Sequence, residues 1–200
     1  MRLKTYFIIV LSFAVSFMLL IGGCAKVHRV PVPVQYTVLT PPQGESRKPD
    51  APVLKNAYAI DRGRYGTVLK IYLEAEDPNG DMASIVTTVR QTGYGHYPTD
   101  WIYLKPPFQK SFLGYIQWNT FSFNASSLDE WDQITVIVAV MDKKGQLSNE
   151  FEFPFTFETG TGPVPEPPAP FNQGNLPKLG NVSINLYNPY RMGGGGNERD

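Results

Sequence analysis

Asp77, Asn79 and Asp81 place three oxygen-bearing side chains at i, i+2 and i+4 within the run Asp77-Pro78-Asn79-Gly80-Asp81. Carboxylate and amide oxygens at that spacing can wrap a hard cation such as Ca²⁺. The same residues equally satisfy their own backbone in a hydrogen-bonded turn, and the loop has neither the length nor the closing glutamate of a twelve-residue calcium loop. A second group is aromatic: Tyr94, Tyr97, Trp101, Tyr103, Tyr115 and Trp118. Such rings stack on sugars or anchor a partner at low entropic cost, and loops are where small β modules bind. Tyr94, Tyr97, Trp101 and Tyr103 are therefore the candidate binding residues, with burial of the two tryptophans in a core as the competing fate. The third chemistry belongs to Cys24, the only cysteine, whose thiolate can be alkylated and which has no partner for a disulfide.

Catalysis finds little to work with. Of the two histidines, His28 lies in a proline-rich stretch and His96 in a glycine-rich loop, so neither a histidine metal site nor a Ser-His-Asp set has a natural second member. Asp129, Glu130 and Asp132 read as solvated charges or a cap rather than as paired acid and base. The chain reads as non-enzymatic, with no cofactor beyond the Ca²⁺ that the Asp77 loop suggests.

Cys24 closes a segment of defined layout. Arg2 and Lys4 form a basic start, Tyr6 to Leu20 an apolar run, and Leu20-Ile21-Gly22-Gly23-Cys24 a small-residue ending. The segment resembles a bacterial lipoprotein signal peptide with its lipobox, which implies cleavage of residues 1–23 and lipidation of Cys24. Tyr6 to Gly23 is short for a helix that must cross about 30 Å of hydrocarbon, and no charged stop-transfer flank follows. Acyl chains bury at about 0.8 kcal/mol per CH₂, so two or three of them hold a protein firmly on a bilayer. The resemblance places the protein at the bacterial cell envelope, and Ala25 rather than aspartate after the cysteine resembles lipoproteins sorted to the outer membrane where two membranes exist. Loss of Arg2 and Lys4 takes the basic count from 18 to 16 against 18 acidic residues. A chain so close to neutral, with no basic stripe, is a poor match for nucleic acid.

Residues 24–50 read as a tether. Val30-Pro31-Val32-Pro33-Val34 and the polar run from Pro41 to Asp50 favour neither helix nor ladder strand. Extended as polyproline they would reach about 80 Å, and as a flexible coil roughly 30 Å. Residues 51–160 carry the strand signals. A first strand is expected over Pro52 to Ile60, and a second in Val68 to Glu76, where Leu69, Ile71, Leu73 and Ala75 share a face. The Asp77–Asp81 run then suggests a tight loop closing a strand pair with Met82 to Arg90. Further strands are expected at 101–104 and 112–124, and a one-turn helix capped by Ser126 or Ser127 at 128–131. Ile134, Val136, Val138 and Val140 mark a central strand. Phe151, Phe153, Phe155 and Phe157 alternate through a last one, with Pro154 demanding an edge or bulge.

About seven short strands without a long amphipathic helix give an all-β chain, a single immunoglobulin-like β-sandwich flanked by extended Pro/Gly-rich segments. The run Leu73 to Asp81 and the later Val138-Ala139-Val140-Met141-Asp142-Lys143-Lys144-Gly145-Gln146-Leu147-Ser148-Asn149 resemble bacterial immunoglobulin-like and fibronectin type III-like modules. That resemblance implies the sandwich and a recognition role. Residues 161–200 read as a second Pro/Gly-rich tail, mostly disordered alone, in which Val182 to Tyr187 alternate like a strand. That stretch suits an arm adding a strand to a partner's sheet, or a strand folding back on its own domain. The reading is an envelope lipoprotein serving as a protein-interaction or scaffold module, membrane-bound through Cys24 and meeting an envelope protein partly through its tail. The alternative is a carbohydrate-binding surface module that uses the 94–103 loop.

Overall fold

The computed structural model describes residues 48–160 and 162–190. The signal segment, Cys24 and the tether up to residue 47 lie outside the described residues, as do residues 191–200. Alternation builds two sheets. The first has the order β1 (Val53–Tyr58), β3 (Val68–Glu76), β7 (Ser111–Asn119), β10 (Lys178–Val182). The second runs β2 (Arg62–Gly63), β9 (Phe151–Phe157), β8 (Gln133–Asp142), β4 (Met82–Gln91), and β4's other edge pairs with both β5 (Gly95–His96) and β6 (Asp100–Tyr103). Strands β1, β3, β7 and β9, β8, β4 stand where strands A, B, E and G, F, C stand in an immunoglobulin-type sandwich. The chain is thus an all-β, immunoglobulin-like sandwich, with ten strands among the described residues rather than about seven. Two of the additional ones, β2 and β5, are only two residues long.

The core lies between the sheets. Leu69, Ile71, Leu73 and Ala75 of β3 face inward with Phe112, Ile116 and Trp118 of β7, against Ile134, Val136, Val138 and Val140 of β8 and the four phenylalanines of β9. Pro154 is exposed, and β2 pairs only with Thr156 and Phe157, so the missing donor of Pro154 falls where β9 has an open edge.

Three expectations change. Strands β3 and β4 are not a hairpin: β3 pairs with β1 and β7, while β4 pairs with β8. The Asp77–Asp81 loop crosses between the sheets, its amides taken by the chain before β7, with Asp77 N donating to Lys110 O at 2.9 Å and Met82 N to Gln109 O at 3.0 Å. Residues 126–132 hold turns rather than a helix; Asp132 Oδ2 accepts from Asp129 N at 3.1 Å, and Trp131 sits at φ 74°. The domain also does not end at Gly160. Phe171, Val182, Ile184 and Leu186 are buried, β10 pairs in parallel with β7, and Trp118 Nε1 donates to Ile184 O at 2.9 Å. The tail folds back because β7 offers an unpaired edge and the core has room for alternate apolar side chains, which the Val182-Ser183-Ile184-Asn185-Leu186 pattern supplies.

Candidate functional site

The acidic loop is a turn built on Asp77. Its Oδ1 accepts from Asn79 N at 3.1 Å and its Oδ2 from Asp81 N at 3.0 Å, while Gly80 takes the positive φ of 70° that the reversal needs. Asn79 Nδ2 donates to Asp50 O at 3.3 Å, tying the incoming chain to this end of the sandwich. The Asp81 carboxyl is pushed above its ordinary range by its hydrogen bond with Asp77, then by loss of water and by the charges of Asp77 and Asp142. Among the described residues no group of three His, Cys, Asp or Glu side chains is placed to hold a metal. The neighbouring β8–β9 turn works the same way: Asp142 Oδ1 accepts from Lys144 N at 2.9 Å and Gln146 N at 2.7 Å around Gly145 at φ 79°.

The six aromatic residues are dispersed. Trp118 is buried, and Tyr115 lies on the outer face of the first sheet. Tyr97 turns into the core, where its hydroxyl donates to Gln91 Oε1 and accepts from Tyr187 N at 2.8 Å. Burial pushes this phenol up to about 12, with a smaller opposing pull from the Tyr187 amide. Trp101 and Tyr103 project from the outer face of the second sheet, 43% and 79% exposed, beside Val86 and Ser84 of β4. Only Tyr94 of the original four stays at the tip, stacked 4.6 Å from Tyr97 and 5.2 Å from Tyr187. Gly93 at φ 81° and Gly95 at φ 111° make the reversal that separates Tyr94 from its neighbours. That turn borders a cleft of about 360 Å³ lined by residues that include Arg90, Gln91, Tyr94 and His96.

Further exposed aromatic residues lie on other loops at the same end of the sandwich as Tyr94, opposite the Asp77 turn. Strand β7 stops at Asn119 because Thr120 uses both its amide, at 3.1 Å, and its hydroxyl, at 2.9 Å, on Thr67 O. The chain then projects Phe121 and Phe123, the latter 91% exposed, with Phe121 5.8 Å from Tyr65. Trp131 stands 65% exposed, its amide donating to Phe157 O at 2.6 Å. The returning tail joins these loops: Ser122 Oγ donates to Leu186 O at 2.6 Å, Asn188 Nδ2 to Ser127 O at 3.1 Å, and Tyr190 follows, exposed. Sequence reasoning assigned Phe121 and Phe123 to a strand face and Trp131 to a helix. The available signal was Asn119-Thr120 as a strand stop and an isolated tryptophan between Glu130 and Asp132. Buried Asp132 and exposed Glu130 beside it are driven apart: loss of water raises the former, and hydrogen bonds from the Thr159 hydroxyl and amide lower the latter.

No family model and no curated protein matches this chain. Among solved structures it is similar to the PKD domain of M14-like peptidase from Thermoplasmatales archaeon SCGC AB-540-F20. The two are 16% identical with a TM-score of 0.35, and the match covers 55% of this chain and 94% of that chain.

Proposed function

We propose that this protein is a lipid-anchored, non-enzymatic interaction module of the bacterial cell envelope, held by Cys24 and the 24–50 tether, and that it captures a protein partner with its aromatic end. The observation that carries this reading is the set Tyr94, Phe121, Phe123, Trp131 and Tyr190, all exposed on the loops at the end opposite the one where Lys48 and Asp50 enter. Exposed rings in that number are unfavourable in water and mark contact surfaces. Trp131 adds a second sign, because a bulky side chain at φ 74° carries backbone strain that a fold tolerates where the residue serves a purpose. Crosslinking and pull-down of the full chain from native membranes tests this. Wild type should recover an envelope protein that Phe123→Ser combined with Trp131→Gly loses, and equal recovery by both refutes it. The adjacent pair Trp101 and Tyr103 supports a second reading, a sugar-stacking surface on the second sheet, for which a glycan panel with Trp101→Ala is the test.

A further inference from the structure

We propose that the outer face of the first sheet carries a separate binding site for a neutral oligosaccharide, roofed by the proline-rich segment that precedes β10. Three tyrosines stand in one register row across adjacent strands, Tyr58 on β1 opposite Tyr72 on β3, and Tyr72 opposite Tyr115 on β7. Their rings are 6.1 and 5.8 Å apart. The segment from Pro163 crosses this face and is pinned by Phe171, which is buried with its ring 5.7 Å from Tyr72. Between strap and sheet lies a cleft of about 530 Å³, within the span usual for small-ligand sites.

The lining selects the ligand class. Tyr72 and Tyr115 offer ring surface, while the strap contributes Glu166, Asn172, Gln173 and Asn175 around the opening. Lys70 reaches in from β3 with its Nζ 5.0 Å from the Tyr115 centroid. One ammonium and one carboxylate balance, so the cleft favours neither an anion nor a cation. Side-chain amides offer donors and acceptors together, which matches hydroxyl groups, themselves both donor and acceptor. A proline-rich peptide presents chiefly carbonyl acceptors and would leave Glu166 and the amide oxygens unmatched. A pyranose ring meets both demands, its C–H face on a tyrosine and its hydroxyls on the amides, as amphipathic aromatic recognition requires. The side chains of Glu166, Asn172, Gln173 and Asn175 make no hydrogen bond with the other described residues, so a ligand's hydroxyls compete with no internal hydrogen bond there. Asn175 takes φ 65°, a left-handed conformation that asparagine tolerates, where the strap heads back toward β10.

This site goes beyond the protein-capturing end and fails independently of it. The full chain, purified in a non-glycosidic detergent, is titrated by ligand-observed NMR with cellohexaose, chitohexaose, maltohexaose and xylohexaose, and with decaproline as a contrasting probe. Saccharide binding is expected, weakened roughly five- to ten-fold by Tyr115→Ala. Asn172→Ala with Gln173→Ala should weaken it similarly while leaving the melting temperature unchanged, since both side chains are exposed. Trp101→Ala and Trp131→Gly should leave it intact. Absence of saccharide binding overturns the proposal, as does binding that survives the Asn172/Gln173 change or is lost with Trp101→Ala. Decaproline binding that displaces or replaces the sugar overturns it in favour of a peptide groove.

Discussion

Replacing Leu186 with alanine asks whether residues beyond Gly160 belong to the domain. Leu186 is fully buried in the common core, and its carbonyl accepts from Ser122 Oγ at 2.6 Å. Removing three carbons from a closed core loses the transfer energy of those atoms and leaves a cavity, together about 2–5 kcal/mol. For a domain of this size each kcal/mol moves the midpoint by roughly 4 °C, so the expected fall is about 8–20 °C. The assay is thermal unfolding of the full chain followed by circular dichroism, with exposed Asn185→Ala as the neighbouring control, expected within about 0.5 kcal/mol of wild type. Deleting everything after Gly160 is harsher still. It strips Val182, Ile184 and Leu186 from the core and Phe171 from its buried seat on the outer face of the first sheet, about 6–12 kcal/mol at 1.5–3 each, comparable to the whole stability of a typical domain. A Leu186→Ala protein that melts within 2 °C of wild type, or a chain ending at Gly160 that unfolds cooperatively, would refute the claim that the tail is part of the core.

Other predictions follow from single contacts. Trp131→Gly relieves a left-handed conformation that costs a non-glycine residue about 1–2 kcal/mol, so melting should be unchanged or raised while partner capture falls. Gly180 leaves no room for a side chain, since an added Cβ would overlap Ile102 Cγ2. Gly180→Ala should cost about 1–3 kcal/mol, and adding Ile102→Ala should cost less than the separate effects together, as a double-mutant cycle in denaturant would show. Thr87 Oγ1 is buried with no hydrogen-bond partner among the described residues, so Thr87→Val should raise stability by about 0.5–2 kcal/mol, measured by the urea midpoint. Tyr97 keeps its proton up to about pH 12 in the fold but ionises near 10 when unfolded, so its contribution is complete below pH 10 and is lost between about 10 and 12. Denaturant midpoints measured across that range should decline, and Tyr97→Phe should flatten the decline.

Local alternation was legible and long-range pairing was not. The Leu69-Ile71-Leu73-Ala75 face and the four phenylalanines of β9 are buried as the period of two requires, and Val68–Glu76 is a strand from end to end. The same pattern does not say which strands are neighbours, so β3 and β4 looked like a hairpin although their loop carries the chain between sheets. The tail shows the same limit. Its alternation is visible in Val182 to Leu186, but the partner of Ile184 O is Trp118, 66 residues earlier, and nothing local distinguishes that edge from a partner's. The aromatic site was legible by composition and not by place. Tyr94 and Tyr97 are three residues apart, yet Gly93 and Gly95 at positive φ put one at the tip and the other in the core. The Tyr58–Tyr72–Tyr115 row and its roof arise only when three strands and a distant segment come into register, a relation that no spacing in the chain encodes.

One segment builds both proposed surfaces. Residues 166–176 wall the cleft on the first sheet, Lys178–Val182 pair with β7, and Ile184 to Tyr190 wedge between the Tyr94 turn and the 121–131 loop. The two surfaces are therefore mechanically joined without sharing a residue that touches either ligand. Gly180 sits at the middle of that segment, against Ile102 of the opposite sheet, so Gly180→Ala should loosen the strap and the aromatic end together. Saccharide affinity and partner capture should then fall in parallel and recover in parallel with Ile102→Ala, whereas Tyr115→Ala and Trp131→Gly each weaken one and spare the other. If Gly180→Ala lowered stability yet left both kinds of binding at wild-type strength, the tail would be only a prop for the core, and each surface would have to be organised by the sheets beneath it.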